Sequence, residues 1–300
     1  MSLFFYLLLK MKLYRHHYTS IIIITIFGIA HNFVCGNFKL EILKENYEAM
    51  KKHILFMKKR AGRSKAFHKL SGRADQYIID TGFHWGEWLE PGTSMPMNAA
   101  KGFLSPDSEV ATAYFAWSTG KVAEIAEILG KENDAEGFRE LYDKIKMSYH
   151  KAFLKDGIPN SDRQCRYVRP IALGLISFDE GKPVAAKLNE MVIKNDYRIG
   201  TGFLSTPHIC QVLTDYGYTD TAYRLLLNEQ APGWLYEVNR GATTIWENWF
   251  GIDKTGKVKD SLNHYSPGAI IGWIYSRAAG IRMLKPGFEE ILIEPHPSSL

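Results

Sequence analysis

The chain has 300 residues, of which 46% are hydrophobic and 13% aromatic, so it can bury one large core or two smaller ones. Its three cysteines, Cys35, Cys165 and Cys210, are odd in number and far apart. This spacing argues against a disulfide framework and against a metal site, and we expect the thiols to be free and mostly buried.

The net charge of +5 conceals an uneven distribution. Residues 1–70 carry 13 Lys and Arg against 3 Asp and Glu, whereas residues 71–300 carry 24 against 29. The basic run from Lys51 to Lys65 could suit a nucleic acid, but no aromatic surface motif accompanies it. We interpret it as a solvated helix face followed by a loop, and we expect no nucleic-acid partner.

Residues 1–36 allow two interpretations. From Met11, a basic start followed by the apolar stretch Ile21–Ala30 is typical of a signal peptide, which would make the protein secreted. Alternatively, Ile21–Gly36 is a core helix and residues 1–18 are a leader or a non-native extension. No apolar stretch here reaches the roughly 18 to 20 residues that span a membrane, so we expect no membrane contact beyond a signal or anchor.

Helical spacing of apolar residues runs from Lys39 to Arg60. Ala61–Tyr77 has no clean period and is predicted to be a loop. Ser108–Leu129 is predicted to be a helix that ends at Gly130, and Asn133 is a suitable N-cap for the helix that follows. The short connection predicts that these two helices pack antiparallel.

Downstream, apolar helical segments alternate with amphipathic ones. The apolar segments are Gln164–Phe178, Thr206–Tyr216 and Asn263–Gly280, and the amphipathic ones are Pro183–Asn195 and Thr219–Asn228, with Thr219 as cap. A helix that is apolar all round is covered on all sides, whereas an amphipathic helix is covered on one side only. The alternation therefore predicts two concentric helical layers, an α/α barrel, and Glu290–Pro297 is expected to contain a strand.

Gly241–Trp249 reads Gly-Ala-Thr-Thr-Ile-Trp-Glu-Asn-Trp and places Glu247 between Trp246 and Trp249. Indole faces stack on the C–H surface of a sugar, and a carboxylate can handle a proton or a developing positive charge. A sugar-processing site needs this combination, although hydrophobic packing beside a solvated charge is the common alternative.

A second aromatic cluster contains Trp85, Glu87 and Trp88 around Gly86. The glycine lets the chain turn so that both indoles can face one cavity. Aromatic core packing is the alternative, for Trp85 in particular.

Four segments rich in glycine and aromatic residues carry a family resemblance. They are Gly82–Gly92, Gly200–Leu204, Gly241–Trp249 and Ser261–Ala269. As a set and in this order, they resemble the catalytic module of bacterial α-L-rhamnosidases, the six-hairpin glycosidases of glycoside hydrolase family 78. The likeness runs from about Asn37 to Pro297, and each segment alone would be a weak signal.

The resemblance implies an all-α fold, an incomplete (α/α)6 six-hairpin barrel over residues 19–285. Residues 286–300 would begin a C-terminal β-sandwich domain. Because an apolar helix precedes the segment that matches Asn37–Ala49 in the family, the resemblance favours the core helix for Ile21–Gly36 and hence a cytoplasmic location.

The resemblance also implies roles for individual residues in hydrolysing terminal α-L-rhamnose. Glu247 would be the general base of an inverting reaction, His264 would bind rhamnose hydroxyls, and Trp88 would stack on the sugar. Glu87 stands where the family usually has Asp, which puts its own contact with sugar in doubt. The alternatives are a rim carboxylate paired with an Arg for Glu247 and a core histidine for His264. Trp85, Trp246 and Trp249 complete the expected sugar-binding set.

The family's general acid lies in an Asp-Glu-Arg-x-Gly-Trp-x-Gly-Asp segment, which is absent from these 300 residues. We therefore expect a catalytic domain that is truncated on its N-terminal side and hydrolyses rhamnosides poorly. Two alternatives remain: another α/α-barrel glycosidase or polysaccharide lyase, and a non-catalytic fragment or sugar-binding remnant. No motif for a phosphate, a metal or a cofactor is present in the sequence, so we expect a carbohydrate substrate and no cofactor.

Overall fold

The computed structural model describes residues 40–63, 75–82, 84–92, 107–253 and 255–300. These ranges leave out residues 1–39, which include the leader, the segment Ile21–Gly36 and Cys35. They also leave out most of the predicted loop 61–77. The described residues are mainly helical. None of their helices is both long enough and apolar enough to cross a membrane.

The helices follow one another with short connections. In chain order they are α1 Leu40–Ala61, α2 Ser108–Ile128, α3 Glu132–Phe153, α4 Gln164–Ala172, α5 Phe178–Lys194, α6 Ile209–Asp215, α7 Thr219–Leu226, α8 Trp234–Val238, α9 Tyr265–Gly268 and α10 Ile270–Trp273, with a π-helix at Ile274–Ala278. A small hairpin, β1 Leu154–Lys155 and β2 Ile158–Pro159, connects α3 to α4.

Burial divides these helices into an inner and an outer layer. In α2, 13 of 21 residues are buried, against 6 of 22 in α3, its antiparallel partner. In α4, 6 of 9 residues are buried, against 5 of 17 in α5. The pair α6 and α7 repeats this contrast. The predicted alternation is confirmed, and the fold is an incomplete α/α barrel.

Two predicted helix caps are wrong, although Gly130 ends α2 as expected, with a φ of 68°. The next helix begins at Glu132, so Asn133 lies within its first turn. The Lys131 amide donates to the Ala126 carbonyl at 2.8 Å, which returns the chain to helix directly after the glycine. Thr219 is likewise the first residue of α7, and its N-cap is Tyr218.

Helix α5 begins earlier than the predicted start at Pro183. Ser177 and Glu180 form a capping box, in which the Ser177 side chain accepts from the Glu180 amide and the Glu180 carboxylate accepts from the Ser177 amide. This box satisfies two backbone donors at the helix start. The proline consequently lies inside the helix.

The predicted helix Asn263–Gly280 is divided into α9, α10 and the π-helix. It is followed by an antiparallel hairpin of β3 Ile281–Lys285 and β4 Glu290–Ile293. The strand expected within Glu290–Pro297 is confirmed as β4. Its partner β3 was missed, and it lies before residue 286, where the β segment was expected to begin.

The buried apolar residues form two clusters along the barrel wall. The first joins α1, α2 and α3 around residues such as Tyr47, Phe115 and Tyr149. The second joins α4 to α7 with the indoles of Trp234 and Trp273. The core therefore lies between the two helical layers, and Cys165 and Cys210 are free and buried as predicted.

Candidate active site at the beginnings of the inner helices

The candidate site lies where the inner helices begin. His264 is the N-cap of α9, and Ser205 lies just before α6. Ser205 donates through its backbone amide to the Glu87 carboxylate at 2.8 Å. The second aromatic cluster is thereby fixed to the same end of the barrel.

Two backbone hydrogen bonds place Glu247 and His264 side by side. The Glu247 amide donates to the Ser261 carbonyl at 2.9 Å, and the His264 amide donates to the Ile245 carbonyl at 2.9 Å. The Ser261 amide in turn donates to Oε2 of Glu247 at 3.2 Å. The Glu247 carboxylate is partly exposed. A local antiparallel pairing therefore holds the two predicted residues together.

The His264 ring is fixed by its cap and by two rings. Its Nδ1 accepts from the Ser266 amide at 3.3 Å, and its ring centroid lies 4.3 Å from that of Phe203 and 5.0 Å from that of Tyr265. Partial burial lowers the pKa of His264, although the negative charge of Glu247 opposes the shift. The neutral ring that accepts at Nδ1 carries its proton on Nε2, which is then a hydrogen-bond donor.

Residues 84–92, here called the Trp88 loop, join this site through Phe203. The Phe203 amide donates to the Trp88 carbonyl at 2.9 Å, and the Ser266 hydroxyl donates to the Phe203 carbonyl at 2.5 Å. A Cβ atom on Gly202 would lie 2.4 Å from the Trp88 carbonyl oxygen, so only glycine permits this approach. The structure thus links Trp88, His264 and Glu247 through successive contacts.

Both indoles of the second cluster are partly exposed. The ring centroids of Trp85 and Trp88 lie 4.4 Å apart at an interplanar angle of 80°, an edge-to-face contact. Each indole therefore orients the other, and the pair presents apolar surface beside the Trp88 loop.

Glu87, a member of the expected sugar-binding set, is buried in an ion pair. Its side chain is 0% exposed and pairs with Arg169, whose side chain is 1% exposed. Arg169 also pairs with Glu109 at 2.7 Å, and Glu109 accepts from the Tyr149 hydroxyl at 2.6 Å. Because a buried charge requires such partners, we assign Glu87 to the support of the Trp88 loop.

Trp246 and Trp249, which were also expected to bind sugar, are buried. Their exposed fractions are 1% and 7%. Trp249 packs edge-to-face on Trp234, with ring centroids 5.6 Å apart. Both buried indoles therefore anchor the loop from which Glu247 projects.

Sequence reasoning missed Glu237 in α8. Its Oε2 accepts from the Trp246 amide at 2.9 Å, and the residue is 0% exposed. Burial raises the pKa of Glu237 to about 7, an effect that the Trp246 hydrogen bond partly opposes. A glutamate in the otherwise apolar stretch Trp234–Val238 was the available signal.

A charged cluster lies beside the Glu87 network. Arg163 contacts Asp107 at 3.0 Å, and Arg166 contacts Asp107 at 2.6 Å and Glu109 at 3.0 Å. A polar cavity of about 400 Å³ opens here, lined in part by Lys155, Arg163 and Arg166. Within the described ranges, no group of His, Cys, Asp and Glu side chains is arranged to hold a metal ion.

Comparison with known proteins gives consistent matches. Residues 36–278 match a family model described as the bacterial alpha-L-rhamnosidase 6 hairpin glycosidase domain. An α-L-rhamnosidase of Formosa agariphila is 34% identical over 264 residues, which cover 86% of this chain and 27% of that protein.

Solved structures match the fold as well. The α-L-rhamnosidase of Streptomyces avermitilis complexed with L-rhamnose has a TM-score of 0.74 at 28% identity, covering 89% of this chain and 24% of that one. The α-L-rhamnosidase of Dictyoglumus thermophilum has a TM-score of 0.74 at 33% identity, covering 91% of this chain and 29% of that one. This chain spans about a quarter of the length of these relatives. Since the family model covers most of its residues, the chain belongs to the bacterial α-L-rhamnosidase six-hairpin glycosidase family.

Proposed function

We propose that this chain carries the general-base side of an α-L-rhamnosidase active site, which hydrolyses terminal α-L-rhamnose with inversion. The observation that carries the proposal is the pairing of Glu247 with His264 beside the Trp88 loop. Its relatives are named α-L-rhamnosidases, and one of them was solved with L-rhamnose, which supports the choice of sugar.

In this proposal, Glu247 accepts a proton from the water that attacks the anomeric carbon. The backbone pairing with Ser261 holds the carboxylate in place, and its partial exposure leaves room for water. An inverting glycosidase needs a separate acid on the opposite face of the sugar, with the two carboxyl groups about 6.5–9.5 Å apart. Glu247 cannot supply both functions.

His264 and Trp88 hold the sugar in this scheme. Nε2 of His264 donates to a rhamnose hydroxyl, which a neutral ring with Nδ1 occupied by the Ser266 amide is prepared to do. The Trp88 indole, oriented by Trp85, packs on the C–H face of the pyranose.

The first prediction concerns the leaving group. A positioned acid contributes about 10²–10⁴-fold to the rate, and the family's acid-bearing segment does not occur in these 300 residues. We expect the polypeptide to hydrolyse an aryl rhamnoside with a good leaving group slowly and one with a poor leaving group hardly at all. Glu247→Gln should abolish the slow activity, as measured by release of the phenol.

Glu229→Gln is the matched control, because Glu229 is exposed and should leave the rate unchanged. Fast hydrolysis of both substrates would show that another residue supplies the acid. A panel of other nitrophenyl glycosides tests the sugar, since turnover of a different glycoside would contradict the choice of rhamnose. Binding of L-rhamnose without any turnover would indicate a non-catalytic, sugar-binding chain.

A further inference from the structure

Glu237 lies directly beneath the segment that carries Glu247. The residue is 0% exposed, and its Oε2 accepts from the Trp246 amide at 2.9 Å. Its Oε1 has no hydrogen-bond partner within the described part of the chain. Burying a carboxyl group costs free energy, so its position against the Trp246 amide requires an explanation.

The peptide that joins Ile245 to Trp246, whose N–H Glu237 binds, is also held from its opposite side. The Ile245 carbonyl accepts from His264, and the Glu247 amide donates to Ser261. The C=O and N–H groups of a trans peptide point in opposite directions. The Trp246 amide therefore faces the core, where Glu237 receives it.

We propose that Glu237 is a positioning residue for Glu247: its carboxyl group fixes the Trp246 peptide and thereby the backbone from which the Glu247 side chain projects. Glu237 touches neither sugar nor water in this scheme and acts only through the loop. The inference rests on the proposed function for the role of Glu247 as a base. Whether Glu237 holds the Trp246 peptide in place can be tested without any catalysis.

The surroundings of Glu237 make it a separable probe. The titratable side chains on the segments packed around it, Tyr236, Glu247, His264 and Tyr265, are partly or fully exposed, whereas Glu237 is buried. Burial raises the pKa of Glu237 to about 7. The Trp246 amide should therefore report ionisation of Glu237 in a range where an ordinary carboxyl group is already charged.

The first test follows the backbone amide proton of Trp246 by NMR as the pH is raised from 5 to 9. In the wild type we expect one downfield step near pH 7, because an amide bound to a carboxylate is deshielded relative to one bound to a neutral acid. Glu237→Gln should remove the step, and Glu229→Gln, at an exposed position, should retain it. The same step in Glu237→Gln would overturn the proposal.

The second test measures whether the loop depends on Glu237. In Glu237→Ala we expect hydrogen exchange at the Glu247 and His264 amides to accelerate about 10- to 100-fold, since a charge-assisted hydrogen bond is lost. Amides of α3 serve as the reference for global stability. Glu237→Gln keeps an oxygen that can accept from Trp246 and should restore most of the protection.

The Ser261 amide provides the direct readout of Glu247, since it donates to the Glu247 carboxylate at 3.2 Å. Its chemical shift should change in Glu237→Ala and return to the wild-type value in Glu237→Gln. Unchanged exchange and an unchanged Ser261 shift in Glu237→Ala would overturn the positioning role.

Kinetics separate this inference from the proposed function. If the wild type hydrolyses an aryl rhamnoside, Glu237→Ala should lower kcat about tenfold or more with little change in KM, because the base is misplaced and the sugar contacts remain. A wild-type kcat in Glu237→Ala would overturn the inference. Absence of turnover in the wild type would contradict the proposed function. Together with the expected exchange and Ser261 results, it would still support the positioning of Glu247 by Glu237.

Discussion

At the scale of single residues, burial separates side chains that look alike in the sequence. Trp246 is 1% exposed, whereas Trp88 is partly exposed. Glu87 is fully buried in an ion pair, whereas Glu247 is partly exposed. A carboxylate must meet water to act as a base on it, and an indole must be exposed to stack on a sugar. Exposure therefore distinguishes candidate site residues from the residues that support them.

The second prediction concerns Glu237 and pH. Burial raises its pKa from 4.5 to about 7, so between these values the folded protein holds a proton that the unfolded chain releases. The stability contributed by Glu237 is full below about pH 4.5 and falls as the pH rises through about 7. Glu237→Gln does not titrate, so its stability relative to the wild type should increase over this interval by an amount on the order of 3 kcal/mol.

Urea denaturation at pH 5 and pH 8 measures this difference. Glu229→Gln should follow the wild type at both pH values, because Glu229 is exposed. Parallel stability curves for the wild type and Glu237→Gln would contradict a raised pKa at this carboxyl group.

At the scale of secondary structure elements, the helix beginnings show how local hydrogen bonds fix a boundary. Ser177 accepts from the Glu180 amide at 3.3 Å and donates to Glu180 Oε2 at 2.7 Å. Thr219, by contrast, lies one residue inside α7, whose N-cap is Tyr218. Two hydroxyl residues near helix starts therefore have different functions.

The third prediction compares these two hydroxyls. Ser177→Ala should lower the free energy of unfolding by about 1 kcal/mol, because the Ser177 hydroxyl accepts from the Glu180 amide, which would otherwise have no partner in the helix. Thr219→Ala should change it by less than about 0.5 kcal/mol, since the N-cap of α7 is Tyr218 and not Thr219. Chemical denaturation measures both, and equal losses would show that Thr219 also caps its helix.

At the scale of the whole molecule, one buried network joins separate parts of the barrel. Arg169 in α4 pairs with Glu109 in α2 and with Glu87 in the Trp88 loop, and it donates to Ser205 before α6 at 3.1 Å. The network lies at the end of the barrel that carries the candidate site. It fixes the beginning of α2, the helix α4 and the segment before α6 relative to the Trp88 loop.

The fourth prediction removes the centre of this network. Arg169→Met leaves Glu87 buried without its cation and Glu109 with Arg166 alone, so we expect a loss of about 3–5 kcal/mol in the free energy of unfolding. Arg139→Met is the matched control, because the Arg139–Glu127 pair is 52% and 64% exposed and should contribute about 0–1 kcal/mol.

Adding Glu87→Gln to Arg169→Met should recover part of the loss, since one uncompensated charge is removed. Denaturant unfolding of the single and double variants measures this coupling. Equal losses for Arg169→Met and Arg139→Met would show that burial does not govern the strength of this network.

The sequence by itself determined the helical layers and the family. Apolar spacing predicted α1 and α2 nearly to their ends, and the contrast between apolar and amphipathic segments predicted the inner and outer layers. These properties are local, because a helix repeats its contacts every few residues. The motif around Glu247 likewise lies within one short segment, and the segment around His264 pairs with it through a nearby turn.

Only the tertiary structure decided which of the candidate residues face solvent. Glu87 meets Arg169 82 positions away and Ser205 118 positions away, and no local pattern reveals such contacts. The burial of Trp246 depends in the same way on how its loop packs over α8. The contact between the Glu237 carboxyl group and the Trp246 amide, nine positions along the chain, likewise depends on the fold. Burial and ion pairing are properties of groups brought together by the fold, and burial then sets the protonation of a group such as Glu237.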